Sequence, residues 1–352
     1  MRPALSRHST LRDAVREIEA SRRSIAVVVD DGSKLIGTVT DGDIRRAILA
    51  GQELDDTVGR AMNRTPLTAD NGTSDSYLVA LLKERGLEAI PLVDAEGRLV
   101  RVVHIADLDP ESARGGGEGY AAVVIMAGGE GQRLRPLTEE KPKPMIEVGG
   151  RPMIERLVCS LVRAGVPRIY IAINYLGHII EDYFGDGSEF GTDIAYLREE
   201  EKMGTAGALS LLPELPPAPL LVINGDVLTG SDYRNLLVYH DEHDAVLTVA
   251  ATDYRVEIPY GVLRTEGTRV TGIVEKPSQR FLCIAGIYVL APEVLAQLPE
   301  KRPCDMPDLI EAVLLQGGNL SVFPIHEYWT DISNVADLAR AENAVKDLGL
   351  QG

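Results

Sequence analysis

Basic charge is what this sequence lacks most. Its 36 lysines and arginines face 53 aspartates and glutamates, a formal net charge of −17 at pH 7. That balance argues against general nucleic-acid binding, which needs a basic field. Cysteine is scarce too. Cys159, Cys283 and Cys304 are too few and too scattered for a disulfide framework or a zinc site, which leaves free thiols in a reducing compartment. The six histidines show no metal-ligand spacing, and His178, His240, His243 and His326 read as surface or packing residues. No apolar stretch approaches the roughly 20 residues that span a bilayer, and the polar start, Met1–Thr10, does not read as a secretory leader. The expectation is a cytoplasmic protein without membrane or nucleic-acid partners.

What is present is ordinary for a globular chain. Apolar residues make up 45% and charged residues 25% of 352 positions, enough for two domains with separate cores. Residues 1–110 read as an internal repeat. In the first copy Ser9 can cap a helix carrying Leu11, Val15 and Ile18, followed by strands Ile25–Asp30 and Lys34–Thr40 and a helix from about Asp43. The second copy repeats the order: helix Ser74–Arg85, strands Ala89–Val93 and Arg98–Val103, then Ala106-Asp107-Leu108. Asp43 and Asp107 fall at equivalent strand-to-helix corners. Four glycines between Gly115 and Gly119 then break all periodicity, so residues 111–119 read as a flexible linker. A second domain is expected over 120–352.

The chain is organised around residues 121–145. The apolar run Ala121–Ala127 has the length of a buried strand and ends in Gly128-Gly129-Glu130-Gly131. Arg133, Arg135, Lys141 and Lys143 follow. Glycines let backbone N–H groups close on a phosphate, and the basic side chains neutralise its charge. Taken alone, the pattern also fits a tight surface turn. A dinucleotide fingerprint and a Walker loop are both absent.

The stretch Gly128-Gly129-Glu130-Gly131-Gln132-Arg133-Leu134-Arg135-Pro136-Leu137-Thr138, with Pro142-Lys143-Pro144-Met145 after a gap, resembles the signature of the sugar-1-phosphate nucleotidyltransferases. Gln132 stands where threonine is usual. Downstream, strands and helices alternate: Arg168–Ile173, Gly177–Phe184, Ile194–Leu197, Thr205–Leu211, Leu220–Ile223, Asp232–His240, Ala245–Ala251. That order implies an α/β fold with a mainly parallel, Rossmann-like sheet. A small α/β domain precedes it, since Gly37–Ile44 and its repeat resemble a cystathionine-β-synthase-type (CBS) pair.

The resemblance implies roles for individual residues. Arg133 and Lys143 would be catalytic, stabilising charge on pyrophosphate. Gly128, Gly129 and Gly131 would cradle the nucleotide. Gly204, Thr205 and Gly207, in Met203-Gly204-Thr205-Ala206-Gly207, would let backbone approach the base and ribose, with the following helix N-terminus favouring phosphate. Asp226, closing Asn224-Gly225-Asp226, and Asp331, in Trp329-Thr330-Asp331-Ile332, would bind Mg²⁺. Ser333-Asn334 stand where Gly-Thr is usual. On the sugar-phosphate side the family pattern points to Gly261, Glu275, Lys276 and Gly286, with Ile284 in place of an asparagine. Residue for residue, Glu199 would face the Watson–Crick edge of the base. A carboxylate only accepts, which suits the adjacent donors of guanine. GTP is therefore expected, with dTTP or UTP the alternative.

In the repeat pair the resemblance puts an adenine or guanine nucleotide effector against Thr40, Asp43 and Asp107, and implies a homo-oligomer. In the second copy Arg101 and His104 depart from the pattern, and only Asp107 keeps its match. The other reading of this corner is that Asp41 and Asp43 merely cap a helix. The implied reaction joins a nucleoside triphosphate and a sugar 1-phosphate, giving an NDP-sugar and pyrophosphate. A reading from another class also stays open, a nucleotide-sensing regulatory protein with a degenerate transferase domain.

Overall fold

A computed structural model describes residues 4–21, 24–108, 119–298 and 302–347. The chain falls into two compact units, Met1–Glu118 and Gly119–Gly352. Apart from Gly119, the stretch expected as a linker lies outside the described residues.

The first unit runs β1 (Leu5–Ser6), α1 (Leu11–Ser21), β2 (Ile25–Val29), β3 (Leu35–Thr40) and α2 (Asp41–Leu49). Then come β4 (Ala69–Asp70), α3 (Asp75–Arg85), β5 (Ala89–Val93), β6 (Leu99–His104) and α4 (Ile105–Leu108). Each half makes a three-stranded sheet, β1-β2-β3 or β4-β5-β6. The repeat extends to single hydrogen bonds. Asp30 Oδ1 accepts from the amides of Gly32 (2.9 Å) and Lys34 (2.8 Å), and Asp94 Oδ1 accepts from those of Glu96 (3.1 Å) and Arg98 (2.8 Å). Both hairpins bulge at the same place, between Val28 and Val29 and between Leu92 and Val93. Each copy buries its own apolar set, Leu11, Val28 and Ile44 in one and Leu78, Ile90 and Leu92 in the other. One expectation is corrected. Thr10, not Ser9, caps α1: its Oγ1 accepts from the Asp13 amide (3.2 Å) while Asp13 Oδ2 accepts from the Thr10 amide (2.9 Å). Ser9 is turned away, its Oγ accepting from the Ser6 amide (3.1 Å).

The second unit opens with β7 (Ala122–Met126), the short pair β8 (Glu147–Val148) and β9 (Arg151–Pro152), and α5 (Met153–Arg163). It continues through β10 (Arg168–Ile173), α6 (Gly177–Phe184), β11 (Asp193–Arg198), α7 (Gly204–Gly207), β12 (Leu220–Asn224), β13 (Val227–Thr229) and α8 (Tyr233–Glu242). The remainder is β14 (Leu247–Glu257), β15 (Val262–Glu266), β16 (Arg269–Val274), β17 (Ser278–Leu290), α9 (Pro292–Leu295), α10 (Met306–Leu315), β18 (Leu320–Pro324), β19 (Trp329–Asp331) and α11 (Val335–Asp347). Seven strands form one sheet in the order β11-β10-β7-β12-β17-β14-β18. All run one way except β17, which is antiparallel to both its neighbours.

Strand alternation sorts the core onto two faces. Val123 and Ile125 of β7 pack with Leu157 of α5, Phe184 of α6 and Leu236 of α8. Ala122 and Val124 face the other way, toward Leu209, Leu309 and Val313. Helices therefore cover both faces, as a mainly parallel sheet requires. The arm was not expected: β14 and β17 run on past the sheet as a paired ribbon through Glu257↔Ser278, and β15 and β16 pair as a hairpin between them.

Candidate active site

The parallel strands β10, β7 and β12 end together, and a cavity of about 640 Å³ opens against those ends. This is where open α/β sheets collect ligands. Its wall begins in the loop after β7, with Gly128, Gly129, Gly131 and Arg133. Leu134 anchors that loop: 1% exposed, it packs with Ile332 and Val345. Thr138 closes it, Oγ1 donating to the Gly131 carbonyl (2.8 Å). Gly131 has φ +62°, and a Cβ there would stand 2.8 Å from Thr138 Cγ2, so no other residue fits. Arg133 projects from this frame exposed and lining the cavity. It makes no hydrogen bond or ion pair among the described residues. Gln132 donates through Nε2 to Glu130 Oε2 (2.8 Å), and Lys202 pairs with Glu130 Oε1 (2.5 Å). The Gln132 amide and then Lys202 hold the Glu130 carboxyl below its usual range.

Lys143 and Asp226 also line the cavity, and they form an ion pair, Nζ to Oδ2. Asp331 comes from far downstream yet lies close by, because β13 pairs with β19. Val227 stands opposite Asp331, and the Ile332 amide donates to the Asp226 carbonyl (3.2 Å). Asp226 immediately precedes β13 and Asp331 ends β19, so the pairing of those strands brings the two near each other. Ser333, at the family's glycine position, lines the cavity and donates through Oγ to Asp331 Oδ2 (2.5 Å). Asn334 replaces threonine as a cap, its Oδ1 accepting from Ala336 (2.9 Å) and Asp337 (3.1 Å) amides. Asp226 lines the cavity and Asp331 is not among its lining residues; two neighbouring carboxylates fit the oxygen-only chemistry of a hard divalent cation.

Glu199 alone of the three consecutive glutamates lines the cavity; Glu200 and Glu201 are exposed elsewhere. Its Oε2 accepts from the Met203 amide (2.9 Å). Oε1 makes no hydrogen bond among the described residues and lies 2.7 Å from where a Cβ on Gly128 would stand. Burial pushes the Glu199 carboxyl up, and the Met203 amide pulls against it.

The loop after Glu199 departs from expectation. Gly204, with φ +78°, and Gly207 make room for residues 302–305: a Cβ at Gly204 would stand 2.6 Å from the Cys304 carbonyl, and one at Gly207 would stand 2.8 Å from that of Arg302. The helix that follows is one turn, α7, and its first amides are already used. Thr205 donates to Asp305 Oδ1 (3.0 Å), and Ala206 (3.0 Å) and Gly207 (2.9 Å) donate to the Cys304 carbonyl. The strap thus takes the Thr205, Ala206 and Gly207 amides, while Gly204 and Thr205 themselves line the cavity.

On the sugar side, Gly261, Glu275 and Lys276 are exposed on the arm and are not among the cavity's lining residues. Glu275 Oε2 lies 3.0 Å from a Cβ position on Gly261, so these two lie together. Gly286 is buried in β17, and its missing Cβ would stand 2.6 Å from Asn224 Nδ2. Asn224 itself lines the cavity, and its Oδ1 is buried without a hydrogen-bond partner among the described residues. The sequence reading singled out Asp226 at the end of Asn224-Gly225-Asp226 and missed Asn224 as wall; Lys202, Pro303 and Asp305 carried no motif at all.

In the first unit, Thr40 and Asp43 form a reciprocal box. Thr40 Oγ1 donates to Asp43 Oδ2 (2.8 Å) and accepts from the Asp43 amide (3.2 Å), and Arg46 Nη2 donates to Asp43 Oδ1 (2.7 Å). This copies the Thr10–Asp13 box, where the same contacts measure 2.9 and 3.2 Å. The capping reading of this corner therefore has direct support. It also starts α2 at Asp41, ahead of the expected Asp43. At the second corner His104 Nδ1 accepts from the Ala106 amide (3.2 Å), and Asp107 is exposed.

Residues 122–347 match the nucleotidyl transferase family profile, and residues 2–50 and 58–109 match the CBS domain profile. Over 224 residues the chain is 35% identical to a mannose-1-phosphate guanyltransferase of Candida albicans, covering 61% of each chain. The chain thus spans about 61% of that curated relative's length. A solved structure from Bacillus anthracis, described as a glucose-1-phosphate thymidylyltransferase, is similar at TM-score 0.53 and 26% identity, over 64% of this chain and 95% of that one. HddC from Yersinia pseudotuberculosis is similar at TM-score 0.50 and 27% identity, over 63% and 98%.

Proposed function

Since the chain belongs to the nucleotidyl transferase family and carries a CBS pair ahead of the transferase fold, we propose that it joins a nucleoside triphosphate, GTP by preference, to a sugar 1-phosphate. The products are an NDP-sugar and pyrophosphate. One observation carries this reading: a single cavity is walled by the glycine loop with the unpaired Arg133, by Lys143 with Asp226, and by Glu199 with one carboxylate oxygen unbonded.

The sugar phosphate oxygen attacks the α-phosphorus in line, and pyrophosphate leaves. The attacking oxygen is already ionised, so no general base is needed. Repulsion between two polyanions is the main barrier. Arg133, unpaired and exposed to the cavity, neutralises the leaving pyrophosphate. Lys143 reaches the same charge by leaving Asp226. Asp226 and Asp331, steadied by Ser333, would hold Mg²⁺, which supplies further neutralisation of phosphate oxygens. Glu199 accepts from the adjacent N1–H and N2 amine of guanine, whereas the carbonyls of uracil or thymine meet like charge. A dTTP- or UTP-using enzyme has the likeness to the thymidylyltransferase in its favour. The repeats then modulate turnover, by an adenine or guanine nucleotide at the Thr40–Asp43 corner or through oligomerisation, and take no part in the chemistry.

Pyrophosphate release with Mg²⁺, each of four ribonucleoside triphosphates or dTTP, and a panel of sugar 1-phosphates tests the proposal. Turnover with GTP above the others is expected. No turnover with any pair would leave the nucleotide-sensing reading in its place.

A further inference from the structure

We infer that Asp305 is a positioning residue for base selection, acting through the 203–206 backbone on the Glu199 carboxylate. The inference rests on the base-recognition reading of Glu199. A hundred positions of chain separate the two segments, yet they are bolted together. The Cys304 amide donates to the Met203 carbonyl (2.8 Å), and the Ala206 amide returns to the Cys304 carbonyl (3.0 Å). Asp305 Oδ1 accepts from the Thr205 amide (3.0 Å), and the Met306 amide donates to Thr205 Oγ1 (2.8 Å). Both sides of the Met203–Thr205 turn are thus held by Cys304 and Asp305.

The other end of that turn holds Glu199. The Met203 amide is the sole donor to its carboxylate among the described residues. Where that amide points decides which way Oε1 faces across Gly128. Gly204 shows how closely the strap presses, since a Cβ there would stand 2.7 Å from Asp305 Oδ1 itself. Asp305 and Glu199 both line the cavity, so a shift at one is felt at the wall holding the base. Removing the Asp305 carboxylate leaves the Thr205 amide unpaired and lets the turn relax. The orientation of Glu199 relaxes with it. A carboxylate aimed less tightly rejects the wrong base less well, because specificity rests on placing like charge against the wrong carbonyls.

The test uses the full-length chain. Asp305→Ala is expected to cut the ratio of kcat/KM for GTP over UTP at least tenfold and to speed amide exchange across residues 203–206. Asp305→Asn keeps an acceptor oxygen and should recover most of both. Asp308→Ala removes the acceptor of the Asp305 amide (3.2 Å) while leaving the Asp305 carboxylate on the Thr205 amide, and should alter neither. Unchanged exchange in Asp305→Ala would overturn the inference, as would an Asp308→Ala variant losing the same selectivity. Glu199→Gln separates this idea from the reading beneath it. If Glu199→Gln changes the base profile and Asp305→Ala does not, Asp305 has only a structural role. If Glu199→Gln changes nothing, the base reading fails and takes this inference with it.

Discussion

Lys34 and Arg98 pair with each other across an antiparallel bridge, and they occupy the same position in the two copies of the repeat. The Leu35 amide donates to the Gly97 carbonyl (3.0 Å), and the Leu99 amide donates to the Ser33 carbonyl (3.0 Å). A residue bonded to its own counterpart marks a two-fold axis, and here the axis runs between the two hairpin turns. The repeat is thus one object with internal symmetry, closed on itself. Its two corners, Thr40–Asp43 and His104–Asp107, are related by that axis but differ in chemistry.

That difference gives a test of the first unit. Thr40→Ala and Thr10→Ala each remove one half of an equal capping box, and each should cost about 1 kcal/mol. Thermal melting reads both. If Thr40 also holds a nucleotide, only Thr40→Ala will lose a ligand-induced rise in melting temperature with adenine or guanine nucleotides. Equal behaviour of the two variants makes the corner a cap and nothing more.

Asp226→Asn and Asp331→Asn keep size and remove the charge that a hard cation needs. Turnover is expected to vanish in both, with the circular dichroism spectrum unchanged. The chain's single tryptophan, Trp329, stands two residues before Asp331, so its fluorescence should respond to Mn²⁺ in wild type and not in Asp331→Asn.

Arg133→Ala should lower kcat on the order of 10²-fold, because an unpaired guanidinium aimed at developing charge acts mainly in the transition state. Lys143→Ala has two effects of opposite sign, since it also frees Asp226. Its kcat should fall while divalent metal binds more tightly without nucleotide. A change confined to KM in either variant would make that residue a uniform binder.

Glu199 is expected to set the acid limb of the pH profile. Burial raises its carboxyl, so the ionised acceptor is lost at a higher pH than for an exposed glutamate. kcat/KM for GTP should therefore fall as pH drops through that raised value, and Glu199→Gln should show no such limb. The stability sign is the reverse. A raised acid favours the folded state at low pH, and that contribution disappears as pH rises through the folded value.

Gly204→Ala forces a Cβ into the Cys304 carbonyl at a backbone angle that alanine avoids. A loss of about 1–3 kcal/mol is expected, read as a lower midpoint in urea. A shortened chain beginning at Gly117 should, by contrast, keep its pyrophosphate release, since every proposed catalytic group lies beyond Tyr120.

The parallel strands were legible because their apolar runs are short and sharply punctuated. Leu220–Ile223 stops at Asn224-Gly225, and Ala121–Ala127 stops at Gly128. The arm was not, since Tyr254, Leu263, Ile273 and Phe281 are exposed and their alternation marks no buried face. Which of three glutamates faces the base was taken from the family motif alone; Glu199 is the one of the three that lines the cavity. Asp305 could not be found from the chain alone. It acts across a hundred positions through backbone amides, which leave no trace in residue type. Gly204 lines the cavity, but its close approach to the strap, and that of Gly207, was not legible, because a glycine announces close approach without saying of what.

The lone antiparallel strand has a consequence in time. Leu220, Leu221, Val222 and Ile223 are fully buried, and β17 closes one edge of their strand, β12. On the ribosome that edge emerges roughly sixty residues before its partner does. At about 5–20 residues per second, the bare strand waits several seconds with its backbone donors unpaired. Four consecutive aliphatic residues on an open edge are an invitation to intermolecular pairing. The interval in which this protein is most prone to aggregate is therefore set by where β17 stands in the chain.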